Sequence, residues 1–467
     1  MPGLWKTAEL LVLMTVFAVP IFLMPSLRVE DPFITFKSFL SSALVFPTLG
    51  VVVLAGLWGG ERIVLRPVLW VGLALFLGIF LLSAITSPYG TASRAAWPFF
   101  AVHGAVFWIA AVLSRRSLFA TRMKIVILCS GVVVAAIGLL QYHGLDALGK
   151  VFPLRSEAPD SPHHITSTIG NPEYLASYLA PLLLLLVPTL AGSAFFRPAT
   201  WGAILAALVL LLALVLTAAR GAWIGLAAGF VFLVAIEAPR RSARWRRGLI
   251  AATAALLILL VSVMAVFSFP NPINRRDARV FERFGQLFDL RTDSVKERVF
   301  FYNIAAKIIG ESPWLGLGPG TFRMAFYPTL LEIEREEPRA AVKHFATTLR
   351  SRVAFQVHND WLEFWVEGGT LGLAALSLFL AAAARLIADA LRILPHESPQ
   401  SRDLRALSAA LLCLFVGSLF NFSLHLPNRA LLFWACLGAA AGIAEGALGF
   451  RAKISEADKD GRPEDTP

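Results

Sequence analysis

Charge is what this sequence has least of. Asp, Glu, Lys and Arg make up 16% of its 467 residues, where soluble proteins carry about 25%. Hydrophobic residues make up 57%, and the mean hydropathy is +0.68. One core cannot hide that much apolar surface, so lipid must be the solvent for most of the chain. Cysteine is nearly absent: Cys129, Cys413 and Cys436 are the only three. All fall in apolar runs and none pairs with another at metal-binding spacing. That excludes a disulfide framework, and they read as small buried apolar residues. The net charge of +11 comes with no compact basic motif interleaved with aromatics, which excludes nucleic acid as a partner. No internal repeat is visible. The glycine-rich GLGPG at 316–320 is a turn without the Lys-Ser/Thr end of a nucleotide-binding loop.

What is present is a series of apolar runs. About twelve are long enough to span a bilayer, near 8–25, 39–58, 67–85, 97–113, 125–142, 172–191, 200–217, 221–237, 249–268, 361–388, 404–424 and 430–448. The fold class expected is all-α, a single integral membrane domain over 1–450 with a charged, disordered cytoplasmic tail at 451–467. The first run lacks a small-x-small cleavage site and is read as a span rather than a removable signal. With a cytoplasmic N-terminus, the inside loops hold about 21 basic residues and the outside short loops about 7. Both termini are then cytoplasmic. The long polar segment 269–360 becomes an outside loop containing short helices.

Polar residues that a lipid-facing span would not tolerate gather in four places, all on the outside face by this topology. In VHNDWLEFWVEGGTLG at 357–372, His358 sits where the polar segment meets an apolar run. His358, Trp361, Leu362 and Trp365 are spaced to share a helical face, with Asn359, Asp360, Glu363 and Glu367 beside them. Gly368, Gly369 and Gly372 permit close packing or a bend. An imidazole there is either a hydrogen-bonding group of the interface, or a general base or phosphate donor. In TAARGAWIG at 217–225, Arg220 lies between two runs with almost no loop, and Gly221 can supply the turn. It is a snorkelling arginine or an anion ligand on the side where arginines are scarce. In TIGNPEYLASYLAPL at 168–182, Asn171 and Pro172 read as a helix cap and first turn, whose exposed N–H groups suit phosphate. His163 and His164 just before it read as solvated loop residues. In SVKERVFFYNIAAKIIGESPWLGLGPGTF at 294–322, a helix carries Arg298 in its first turn and is stopped by Gly310 and Pro313. Arg298 is free for an anion or paired with a neighbouring acid. The stretch 279–290 places three phenylalanines near one face and could rest on the membrane surface.

Taken in order, these segments resemble the superfamily of bacterial O-antigen ligases and O-antigen polymerases. GNPEYLASYL is similar to its GN-P segment, and TAARGAW to its S-R-G/S-x-W segment with Ala219 where Ser is usual. ERVFFYNIAAKIIGESPWLGLGPGTF is similar to its R-x-x-x-(W/Y) helix followed by P-x-x-G-x-G. VHNDWLEFWVEGGTLGL is similar to its H-N-x-(Y/W)-L segment. Motif support covers about 165–380.

The resemblance implies a GT-C-like glycosyltransferase of the bacterial inner membrane with its site on the periplasmic face. The donor would be a glycan on undecaprenyl diphosphate. The acceptor would be lipid A–core or another glycan. By carry-over, Arg220 and Arg298 bind the diphosphate and His358 acts on the acceptor hydroxyl, with Asn171 and Asn359 as further substrate-binding candidates. Asp360, Glu363 and Glu367 stand as alternatives: the base itself, or groups that orient the histidine. No cofactor and no metal are expected. A polymerase or a protein O-oligosaccharyltransferase fits the same motifs. A transporter or flippase fits less well, because charges would then lie along the spans rather than at one end.

Overall fold

A computed structural model describes residues 2–24, 33–59, 63–116, 118–145, 165–191, 198–237, 261–269, 271, 274, 285, 293–336 and 356–459. Among these all regular secondary structure is helical. The helices are α1 (Pro2–Ile21), α2 (Thr35–Gly59), α3 (Pro67–Thr86), α4 (Gly90–Ser114), α5 (Phe119–Tyr142), α6 (Pro172–Ala191), α7 (Pro198–Thr217), α8 (Arg220–Glu237), α9 (Asp293–Glu311), α10 (Phe322–Glu336), α11 (Asp360–Ile393), α12 (Pro399–Gly417) and α13 (Pro427–Lys459). Pro67, Pro172, Pro198, Pro399 and Pro427 each open a helix, where the missing N–H costs nothing and the fixed φ is already helical.

Nine of the described helices are long and apolar enough to cross a membrane: α1–α5, α7, α8, α11 and α13. Leu10, Phe39, Leu57, Trp58, Leu205, Val231 and Leu378 point outward from them. A belt of exposed aliphatic and aromatic side chains is what a lipid-facing surface requires. The chain is a multi-pass membrane protein. Two more of the expected runs are helices of different character: α6 holds a shorter apolar stretch, Pro172–Pro188, and α12 opens on polar residues. Most of the expected run 249–268 lies outside the described residues, as do His163, His164 and nearly all of 279–290. Helix α13 continues through Lys459, into the tail expected to be disordered, and 460–467 lie outside the described residues.

Central helices come together along small residues. Gly438 and Gly442 of α13 face the carbonyls of Phe107 and Ala111 on α4, and a Cβ would lie 2.2 Å from either oxygen. Gly225 and Gly229 of α8 meet the carbonyls of Cys413 and Ala409 on α12 in the same way. Lipid tails are as apolar as Leu, so close backbone approach replaces the hydrophobic effect as the force between spans. Cys413 and Cys436 are buried as expected, whereas Cys129 is exposed on the outer side of α5.

Among the ion pairs that tie helices together at the end of the bundle opposite the polar segments, two are buried on both sides. Lys124 meets Asp403 at 2.5 Å and Arg405 meets Glu237 at 2.6 Å.

Candidate active site

The other end of the bundle gathers all four polar segments. The starting point is α11. Asn359 caps it, its side-chain oxygen accepting from Trp361 N at 3.0 Å and Leu362 N at 3.2 Å. The helix then carries acids at 360, 363 and 367, three and four residues apart and hence on one buried face. Gly369, at φ 62 and ψ −170, breaks the helix. Few residues other than glycine adopt that geometry. The turn at 312–321 fills the break: Leu317 N donates to Val366 O at 2.8 Å, Gly318 N to Glu367 O at 2.9 Å and Thr370 N to Pro313 O at 2.8 Å. Backbone groups freed by the break are thereby satisfied within the protein. The GLGPG turn is thus the partner of the Gly368-Gly369 break.

The three acids are engaged. Asp360 binds His425 Nδ1 at 2.5 Å and accepts from Leu424 N at 2.9 Å. Glu367 binds His425 Nε2 at 3.2 Å and accepts from Gly320 N at 2.6 Å. Glu363 accepts from Val357 N at 3.1 Å. His425 sits in a 3-10 turn, Ser423–His425, between α12 and α13. Burial by itself would lower its pKa, but the carboxylates of Glu367 and Asp360 outweigh burial and hold it well above 6.5. The ring is clamped on both nitrogens. This clamp also ends α12 early. The run expected to 424 stops at Gly417, because Asp360 N donates to the carbonyls of Ser418 and Asn421.

His358 is placed differently from the expected helical face. It precedes the cap, in left-handed backbone at φ 62, so Trp361, Leu362 and Trp365 lie on a helix that His358 does not join. Its ring stacks on Phe301 of α9, centroids 5.6 Å apart and planes 9° apart, and meets the edge of Phe422 at 5.0 Å. Nδ1 is buried without a hydrogen-bond partner. Burial pushes its pKa down to about 4; nearby Glu173 opposes that and Arg298 adds to it. Asp360, Glu363 and Glu367 hold His425 and backbone amides rather than orienting this ring.

Around His358 stand the remaining candidates. Arg298, one turn before Tyr302 on α9, reaches Glu173 of α6 at 2.9 Å. Asn171 caps α6, accepting from Glu173 N at 2.8 Å. Tyr302 donates to the His358 carbonyl at 3.5 Å. Arg220 opens α8. The turn before it is made by Ala218, at φ 52, with Thr217 Oγ1 accepting from Ala219 N at 3.4 Å. Gly221, expected to supply that turn, is helical instead and packs on Phe420, two residues from the Phe422 that edges His358.

Arg298 and His358 are therefore neighbours, Gly221 beside Arg220 packs on Phe420, and both asparagines cap helices through their side-chain oxygens. Missed from the sequence were Glu173, Tyr174, His425 and Arg429. Tyr174 meets Phe422 at 5.1 Å, and Arg429 lies over the Tyr174 ring at 4.4 Å. Arg429 carried the same signal that singled out Arg220, a basic residue at the end where basic residues are scarce.

These features define the class, a multi-pass helical membrane protein. A sequence model of the family described as O-antigen ligase matches residues 205–377. That stretch is similar to an O-antigen ligase domain. The matched stretch holds Arg220, Arg298, His358, Asp360 and Glu367; Glu173, Tyr174, His425 and Arg429 lie beyond it. A comparison with curated proteins gives no match.

Proposed function

We propose that this protein is a glycosyltransferase of the bacterial inner membrane. It transfers a glycan from undecaprenyl diphosphate to an acceptor hydroxyl, in the manner of an O-antigen ligase, with lipid A–core as acceptor. The polar end of the bundle faces the periplasm and both termini face the cytoplasm. The observation that carries this reading is the juxtaposition of Arg298 with the buried ring of His358 in a stretch similar to an O-antigen ligase domain.

The chemistry fits these groups. A diphosphate leaving group takes negative charge with it, so departure gains from cations more than from an acid. Arg298 and Arg220 supply planar forks for phosphate oxygens. The acceptor hydroxyl must lose a proton as it attacks. A neutral imidazole can take it; burial, which lowers the pKa of His358 to about 4, keeps the ring neutral at physiological pH and makes it a weaker base than a free imidazole. In this reading Glu173 occupies Arg298 until the diphosphate replaces it.

An apolar cavity of about 680 Å³ between α8, α11, α12 and α13 supports a lipid-borne donor. Trp361, three residues after His358, lines it, with Phe415, Leu380 and Ala384 further along. A polyprenyl chain seated there would hold its diphosphate at the site end.

The test supplies purified protein with undecaprenyl-diphosphate glycan and either lipid A–core or a second carrier-linked repeat. Ligase-type transfer gives a glycosylated lipid A–core. Extension of the second carrier instead makes the enzyme a polymerase, and no release of carrier diphosphate with either acceptor rejects the reading.

A further inference from the structure

Ten charged side chains are buried among the described residues: Lys37, Lys124, Glu237, Asp360, Glu363, Glu367, Asp403, Arg405, Arg429 and Glu445. Nine of them have hydrogen-bonding or ion-pair partners. Lys37 donates to Pro20 O and Thr168 O. Lys124 and Asp403 hold each other, as do Arg405 and Glu237. Glu445 binds Arg115. Asp360, Glu363 and Glu367 are bound as described above. Arg429 is the exception.

Its guanidinium is wholly buried, and Nε, Nη1 and Nη2 have no hydrogen-bond partner. An unpaired buried charge is expensive, and native proteins retain one chiefly where it has work to do. The aromatic ring of Tyr174 covers it and supplies a cation–π contact, but a ring face takes none of its five N–H groups. Glu173 and Asp360 act on it through space without bonding to it. Buried donors without partners recur in the same short stretch, at Ser423 Oγ and Asn428 Nδ2.

The position matters as much as the vacancy of its donors. Tyr174 follows Glu173, which holds Arg298, and its ring edges Phe422, which edges His358. Arg429 is thus linked to His358 through the rings of Tyr174 and Phe422.

We propose that Arg429 is a further anion-binding residue of this site. Tyr174 covers it in the empty protein. When the diphosphate of a lipid-linked donor enters, the Tyr174 ring turns aside and phosphate oxygens take the guanidinium's N–H groups. The ligand class is a polyprenyl diphosphate, esterified at both ends in the donor and at one end in the released carrier, whose phosphate oxygens a planar fork binds through two parallel hydrogen bonds. The inference rests on the donor proposed above and adds to it a residue outside the matched domain. A purely structural Arg429 would serve instead as a counter-charge to the buried acids of α11.

The experiment measures binding of undecaprenyl diphosphate to the full chain in nanodiscs. Inorganic pyrophosphate and phosphatidylglycerol serve as parallel probes, and the melting temperature is read without ligand. Arg429→Met is expected to weaken undecaprenyl diphosphate binding by about tenfold or more. Its ligand-free melting temperature should hold or rise, because an unpaired charge has been replaced by an apolar side chain. Pyrophosphate should show the same dependence on Arg429 at lower affinity, and phosphatidylglycerol none.

Unchanged diphosphate binding with a lowered melting temperature makes Arg429 a structural counter-charge and overturns the proposal. Equal dependence for phosphatidylglycerol overturns the diphosphate assignment. If Arg429→Met does not fold, Arg429→Lys decides. It keeps the charge and loses the fork, so weakened binding supports the proposal and wild-type binding ends it. Arg298→Gln separates the two levels of the argument. If it abolishes binding and the Arg429 variants do not, only this inference fails; if the wild-type chain binds no undecaprenyl diphosphate, both fail.

Discussion

His358 should titrate far below an ordinary histidine, and removing Phe301 should bring it part of the way back. The ring is sandwiched between the face of Phe301 and the edge of Phe422, and burial takes its pKa from 6.5 to about 4. That difference amounts to on the order of 3 kcal/mol against protonation. Burial is the first cause, so the perturbation should act on burial. Phe301→Ala removes the stacked face and admits water, and the pKa should rise by about one pH unit or more. The folded pKa lies below the unfolded one. The stability from burying the neutral ring is therefore complete above 6.5 and is lost as pH falls from 6.5 through 4. Histidine-selective ¹³C labelling with NMR titration reads this directly, His358→Gln assigning the signal. If His358 is the base, the acid limb of kcat/KM should lie below 6.5 and move upward in Phe301→Ala. A wild-type His358 titrating at 6.5 or above, or one indifferent to Phe301→Ala, would refute the reasoning.

Other consequences are equally open to measurement. Gly369→Ala puts a Cβ 2.3 Å from the Trp314 backbone at a φ that side chains rarely adopt, so it should cost about 3 kcal/mol or more and expose the 312–321 turn to protease. His425→Leu leaves Asp360 and Glu367 buried without their cation and should cost about 3 kcal/mol or more, read as a lowered melting temperature. Because the folded pKa of His425 is raised, the clamp's contribution is complete below 6.5 and is lost as pH rises through that elevated value. Arg298→Gln should change stability by less than about 1 kcal/mol, since its pair with Glu173 is partly exposed, while transfer is lost. Asn359→Ala should cost about 1 kcal/mol, the usual worth of a helix cap.

The helices were legible because a bilayer imposes their length and composition on the sequence. Asn171-Pro172 and Asn359-Asp360 were legible as helix starts for a local reason, an amide oxygen within reach of the next N–H groups. The His425 clamp was not, because it joins residues 58 and 65 positions apart; acids spaced along α11 pointed to chemistry when two of them, Asp360 and Glu367, had a distant imidazole as partner. The placement of His358 misled for a related reason. Helical spacing from 358 to 365 is only a pattern, and the cap one residue later decides where the helix begins. GLGPG was legible as a turn, but not as the segment that fills the break at Gly369. Arg429 sat in plain view as a basic residue at the wrong end of a span, and only its burial without partners gave it a meaning.

The central claim is that Arg298 and His358 act together on a carrier-linked glycan. Its most direct measurement is release of undecaprenyl diphosphate from a carrier-linked glycan by the purified protein in the presence of acceptor. The wild-type chain and the His358→Ala and Arg298→Gln variants would be compared at matched, folded concentrations. The account predicts release and glycosylated acceptor from the wild type and neither from the variants. Transfer at the wild-type rate by both variants would contradict it.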